Sequence, residues 1–275
     1  MKLRSTVPSV MLFLAFSTMM LFPSGLDAAV SIEQGNLPAI MQAAERGDPD
    51  AQYEIGMVYY NGYHKGIPED RAKALEWFLK AAARGHAVAQ YTAGAVFLNG
   101  DGAPQDDVKA KLWFAASADQ GEPRGQTALG MMFKTGRGGE QDFAKAAEWY
   151  RKAAEQGNSQ AQDNLGVLYR DGKGVMQDHA VAAGWFHKAA EQGSPDGQLN
   201  LGVAYFNGQG VPKDDVWAAD LFLKSAKQGH MGAQYNIGQC LEYGIGVTVD
   251  KAGAMEWYGR AAQQGHRDAQ AKLGR

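Results

Sequence analysis

Glycine sets a period through this chain. Gly47, Gly85, Gly121, Gly157, Gly193, Gly229 and Gly265 are separated by 38 residues once and then by 36 residues five times. Three further series keep the same register. One is Gln52, Gln90, Gln126, Gln162, Gln198, Gln234 and Gln270. Another is Gly56, Gly94, Gly130, Gly166, Gly202, Gly238 and Gly274. The last is Trp77, Trp113, Trp149, Trp185 and Trp257, with Leu221 in the remaining slot. A fixed period of this length marks a repeat architecture, in which each unit is one supersecondary motif that buries its apolar face only against its neighbours.

The longer first step has a local source. Gly62 to Gly66 spans four residues, whereas Gly100–Gly102, Gly136–Gly138, Gly172–Gly174, Gly208–Gly210 and Gly244–Gly246 span two. The insertion therefore lies near His64-Lys65, in a loop, where added length costs little.

Each unit reads as two helices. In the fourth, Ala161, Leu165, Leu168 and Tyr169 recur on one helical face. Gly172 and Gly174 then stop the helix, since glycine takes the left-handed conformation that helix ends need. Asp178 follows as a candidate N-cap, a slot shared by Asp70, Asp106, Asp142, Asp214 and Asp250. The second helix carries Trp185 and Ala189-Ala190 inward and ends at Gly193. Glycine in mid-helix costs about 1 kcal/mol against alanine. The recurrence of Gly166 and its equivalents therefore predicts close helix contact, with Trp and other aromatic side chains of the neighbouring helix filling the space.

Glycine usage supports this reading. The chain has 35 Gly in 275 residues but only 9 Pro, so collagen is excluded and the glycines belong to turns. A formal net charge of −3 gives no basic excess for nucleic-acid binding. The first residues form a separate segment: Lys2 and Arg4, an apolar stretch from about Val7 to Phe22, a break at Pro23-Ser24-Gly25, then Ala28 and Ala29. That is the layout of a signal peptide over residues 1–28, cleaved after Ala28 or Ala29, and it is short for a membrane span. Cys240 is the only cysteine, so no intramolecular disulfide forms and stability rests on packing. The expected location is a bacterial periplasm or the extracellular space.

The residues Leu165-Gly166, Tyr169, Gly172, Gly174-Val175, Asp178, Trp185 and Lys188-Ala189-Ala190 with Gly193 resemble the Sel1-like repeat, a relative of the tetratricopeptide repeat. The resemblance runs over about residues 37–275, and the mature domain is 29–275. Units fall at about 51–86, 87–122, 123–158, 159–194, 195–230 and 231–266, with partial units at both ends. Departures are the longer first loop, Gly139 where valine is usual, and Leu221 for tryptophan. The resemblance implies an all-α fold, an α/α superhelical solenoid of about six helix–turn–helix repeats that scaffolds protein complexes.

By similarity to tetratricopeptide repeats, the first helix of each unit lines a concave groove. The residue after each Gln, and those shortly beyond the central Gly, then face a protein or peptide partner. They are Tyr53, Tyr60, Tyr91, Leu98, Lys134, Arg170, Leu199, Phe206, Tyr235 and Tyr243, with Asn61, Asn99, Thr127, Thr135, Asp163, Asp171, Asn207 and Glu242. The other reading of the tyrosines is a scaffold preference at that slot.

Other chemistry finds little footing. His86, His230 and His266 share one slot after the terminal Gly and read as turn residues; His64, His179 and His187 form no ligand motif. No HExxH, P-loop or calcium-loop glutamate is present, so no metal or cofactor is expected. Some exported relatives carry the β-lactamase name, but those are cysteine-rich, and this chain has neither their cysteines nor Ser-x-x-Lys. An exported hydrolase is the alternative function, and an envelope glycan-binding protein the third.

Overall fold

The computed structural model describes residues 36–62 and 66–274. The proposed signal peptide and the insertion at His64-Lys65 lie outside the described residues. The described elements are fourteen α-helices: α1 (Leu37–Arg46), α2 (Pro49–Asn61), α3 (Arg71–Ala83), α4 (Ala87–Asn99), α5 (Asp107–Asp119), α6 (Pro123–Thr135), α7 (Phe143–Glu155), α8 (Ser159–Asp171), α9 (His179–Glu191), α10 (Pro195–Asn207), α11 (Asp215–Lys227), α12 (Met231–Tyr243), α13 (Lys251–Gln263) and α14 (Arg267–Lys272). They fall into two compact units, one ending at Trp149 and one beginning at Tyr150.

Within each unit every even-numbered helix from α2 to α12 is the first helix of a repeat, and the next is the second. The helix starts are set by side-chain caps. Asp106 accepts from the Lys109 amide at 2.9 Å, and Asp178 accepts from Ala180 and Val181 at 2.9 and 3.0 Å. Asp70, Asp142, Asp214 and Asp250 do the same at their helices. Each such cap is worth about 1 kcal/mol. First helices end on left-handed glycines, as at Gly172 with φ +65°. The second loop glycine has its own duty. A Cβ on Gly102 would lie 2.5 Å from the Arg71 carbonyl oxygen, and Gly138, Gly210 and Gly246 crowd the Asp107, His179 and Asp215 carbonyls in the same way, so these four loops seat against a helix start of the preceding repeat.

The mid-helix glycines explain the packing of each pair. A Cβ on Gly166 would lie 2.6 Å from the Phe186 ring, and one on Gly94 would lie 2.6 Å from Phe114. Gly56, Gly202 and Gly238 meet Phe78, Phe222 and Tyr258 in the same way. The ring that fills the space is thus the residue after tryptophan, which corrects the sequence expectation. Phe186 is 2% exposed, while Trp185 is half-buried with the Lys188 ammonium 4.1 Å from its ring centre. Successive residues on a helix point about 100° apart, so the two cannot both face the glycine. Burial of each such ring contributes about 2–3 kcal/mol.

The periodic glutamines form a buried polar spine between repeats. The Gln162 amide donates to the Ala154 carbonyl at 3.1 Å and its oxygen accepts from Gln192 at 2.8 Å. Gln90 and Gln234 make the same two bonds, to Ala82 with Gln120 and to Ala226 with Gln264. Each amide thus adds a second bond to a helix-end carbonyl that also accepts from the glycine three residues on. At the first repeat the ladder breaks: Arg84 stands where the others have glutamine, and the buried Gln52 oxygen has no partner.

Candidate interaction face

First helices of successive repeats touch one another, α4 with α6 and α8 with α10, so in each unit they form a common layer. The sequence-predicted partner residues all lie on these helices, but burial divides them. Tyr60 is 4% exposed, Tyr91 4%, Leu98 2% and Phe206 8%. These four belong to the core, and a partner does not reach them. Tyr60 is covered by its own repeat and by the next: its ring lies 3.7 Å from the Arg71 guanidinium of α3, and its hydroxyl donates to Asp101 of the following repeat at 2.6 Å. Burial, then the Asp101 charge, drive the Tyr60 hydroxyl pKa upward, and burial pushes Tyr91 up to about 12.

Tyr53 is half-buried in the unit ending at Trp149 and stacks on His86, ring centres 4.9 Å apart. Burial raises its pKa against a hydrogen bond with Thr92. Lys134 is half-buried at the end of α6, where its carbonyl accepts from Gln141 at 2.8 Å.

In the unit beginning at Tyr150 the remaining residues assemble across three first helices. On α8, Arg170 donates to the Asn200 side-chain Oδ1 at 3.1 Å, and Asn200 Nδ2 donates to Asp163 at 2.7 Å. Leu199 sits beside that cluster on α10, half-buried. On α12, Tyr235 is half-buried and stacked on His266 at 4.4 Å, and Tyr243 is 47% exposed. Lys272 of α14 locks this end: its ammonium donates to Glu242 at 2.7 Å and to the Tyr243 hydroxyl at 2.8 Å. Burial works to raise the Glu242 pKa, but hydrogen bonds from Lys272 and Tyr258 hold it below the usual carboxylate range. Sequence reasoning passed over Asn200 and Lys272. Their signal was positional: both lie two residues beyond a periodic glutamine, a slot that reads Glu54, Thr92, Ala128, Asn164, Asn200, Asn236 and Lys272 along the chain.

Cys240 is fully buried on α12, and burial followed by the Asp215 charge pushes its thiol up to about 12, away from thiolate chemistry. Among the described residues no three His, Cys, Asp or Glu side chains group as metal ligands, and no helix is long and apolar enough to cross a membrane. The shared histidines are helix N-caps rather than passive turn residues: His86 Nδ1 accepts from the Ala89 amide at 2.9 Å.

The Sel1 repeat family model matches residues 49–86, 87–122, 123–158, 159–194, 195–230 and 232–266. The chain belongs to the Sel1 repeat family. Its architecture is accordingly the all-α helical-repeat solenoid of Sel1 proteins, a family of generally non-enzymatic scaffolds in protein–protein interaction. Among solved structures it is similar to c5321, a protective antigen present in uropathogenic Escherichia coli strains displaying an SLR fold, with 37% identity and a TM-score of 0.78. That match covers 90% of this chain and 55% of the other, so the chain spans just over half of that protein. A Sel1 repeat protein from Oxalobacter formigenes is 39% identical with a TM-score of 0.74, covering 86% of this chain and 68% of that one. The immunity protein Pa5087 from Pseudomonas aeruginosa shares the fold alone, at 21% identity and TM-score 0.51, covering 78% and 81%. No curated protein matches the chain.

Proposed function

We propose that this Sel1 repeat protein is exported and binds a protein or peptide partner on the first-helix layer, with α8, α10 and α12 as the main contact. The observation that carries this reading is the surface formed by Arg170, Leu199, Asn200, Tyr235 and Tyr243. Across α8, α10 and α12 the slots of Arg170, Leu199 and Tyr243 each hold three different residues, whereas the scaffold positions and the Asn200 slot recur. Large aromatic and arginine side chains with polar neighbours are the composition that dominates binding energy at interfaces. Tyr243 is held in place by Lys272, so ordering it on binding costs little.

Export rests on the N-terminal layout of Lys2, Arg4 and the apolar stretch to Phe22. The similarity to a protective antigen present in uropathogenic strains favours the same reading. Two measurements test the proposal. Sequencing the mature N-terminus from the producing cell is expected to find cleavage after Ala28 or Ala29; an intact Met1 would remove the export half. A photo-reactive amino acid placed at Leu199 or Tyr243 is expected to give a discrete protein adduct, and one at Leu112, 66% exposed on second helix α5, none. Adducts from Leu112 alone would move the contact to the second helices.

A further inference from the structure

Three inter-repeat turns are capped by histidine where other repeats use Asp48, Asn158 or Ser194. His86, His230 and His266 each turn Nδ1 toward the backbone amide three residues on, in the first turn of the next helix: Ala89 at 2.9 Å, Ala233 at 3.2 Å and Ala269 at 3.3 Å. An amide can only donate, so Nδ1 must be the unprotonated nitrogen and the proton of the neutral ring sits on Nε2. At His86 and His230 that Nε2 meets Asp50 at 3.2 Å and Asp196 at 3.1 Å, in the preceding repeat.

We propose that these histidine caps form an acid-sensitive device: a second proton can enter only at Nδ1, and it abolishes the cap. The protonated nitrogen then faces the amide donor to donor, with a cation at the positive end of the helix. The charged groups around each ring do not reverse this. His86 faces Asp50 of α2, and Glu122 and Arg124 at the start of α6, one of which opposes the others. His230 faces Asp196 of α10, and His266 faces Asp268 of its own helix beside the Tyr235 ring of α12. Asp50 and Asp196 are 84% and 61% exposed, so water weakens their pull. Burial holds the pKa of His86 and of His266 below the ordinary histidine value, in keeping with a ring that resists protonation while folded.

The sign follows. The unfolded chain takes up protons near pH ~6.5 while the folded His86 and His266 rings resist them, so the stability these two contribute is intact above that pH and is lost as the pH falls below it. Tyr53 stacks on His86 and Tyr235 on His266, so the same titration reaches the first-helix layer. That last link rests on the function proposed above; the loss of the caps does not.

Residue-resolved hydrogen exchange on the whole chain, as protection factors at pH 7.5 and 5, tests the device. The Ala89, Ala233 and Ala269 amides are expected to lose protection at pH 5. The Ala161 amide, capped by Asn158 at 2.9 Å, supplies an internal control and keeps its protection. In the triple variant His86→Asn, His230→Asn and His266→Asn, which carries the cap used at Asn158, the three amides stay protected at both pH values. The melting temperature of the wild type falls by about 2–4 °C per cap over the same range, and that of the variant does not. Parallel loss at Ala161, unchanged protection in the wild type, or an equal loss in the asparagine variant would each overturn the proposal. Imidazole nitrogen shifts at pH 7.5 that place the proton on Nδ1 would overturn it too.

Discussion

Gly166 and Gly184 look alike in the sequence, since both are glycines inside helices, yet their surroundings are opposite. Phe186 leaves no room for a Cβ on Gly166, while nothing lies within 4 Å of one on Gly184. Gly184→Ala is therefore expected to stabilise by up to about 1 kcal/mol through helix propensity. Gly166→Ala is expected to destabilise by about 1–2 kcal/mol, because overpacking outweighs that gain. Denaturant unfolding of both variants checks the pair; equal and favourable shifts would mean the ring moves away freely. The need for small residues at Gly166 was legible from its period. The identity of the ring was not, because Trp185 and Phe186 are adjacent and both recur; the better clue was the slot after tryptophan, which stays aromatic at Phe222 even where Leu221 replaces tryptophan.

The helix pairs were legible because an Asp cap opens each second helix and a glycine stop follows each helix, whereas the His86, Glu122, Asn158, Ser194 and His230 caps of the first helices were not. Side-chain pairing between neighbouring elements was not, because it depends on residues 30 positions apart. The start of α3 meets the loop after α4 through Arg71 and Asp101 at 3.0 Å. One repeat later the same slots hold Asp107 and Arg137 at 2.6 Å, with the charges exchanged. The second pair is bidentate, through Arg137 Nε and Nη2. Arg137→Asp is expected to destabilise by about 1–2 kcal/mol, as a lost pair becomes a like-charge contact. Adding Asp107→Arg recreates the first repeat's order and should restore at least half of that, short of the bond from Arg137 to the Leu98 carbonyl. Denaturant midpoints decide it, and no recovery in the double variant would deny the pairing. The Arg137 hydrogen bond keeps Asp107 below its ordinary pKa, so this contribution is present above pH ~4 and is lost as pH falls further. That window lies below the histidine window, so the two effects separate in a pH titration of stability.

At the scale of the molecule, a repeat period announces the architecture but conceals the surface. Whether a first-helix residue is core or interface is decided by what its own second helix and the following repeat lay over it. Arg71 and Asp101 cover Tyr60, while Tyr243, one position beyond the equivalent slot of α12, stays open beside Lys272. Half-buried Leu199 and exposed Tyr243 therefore carry the account, and Tyr60, Tyr91, Leu98 and Phe206 serve the core. Trp217, 54% exposed on second helix α11, provides the matched control: an equally prominent side chain on the other layer. The most direct measurement is partner capture from the producing cell's envelope and secreted fractions by three proteins: the wild type, a Leu199→Ala, Tyr235→Ala, Tyr243→Ala variant, and a Leu112→Ala, Trp217→Ala variant, each first shown to be helical. The account predicts that one protein is retained by the wild type and by the second-helix variant and is lost by the first-helix variant. Retention by the first-helix variant with loss from the Leu112, Trp217 variant would contradict it and assign recognition to the second helices.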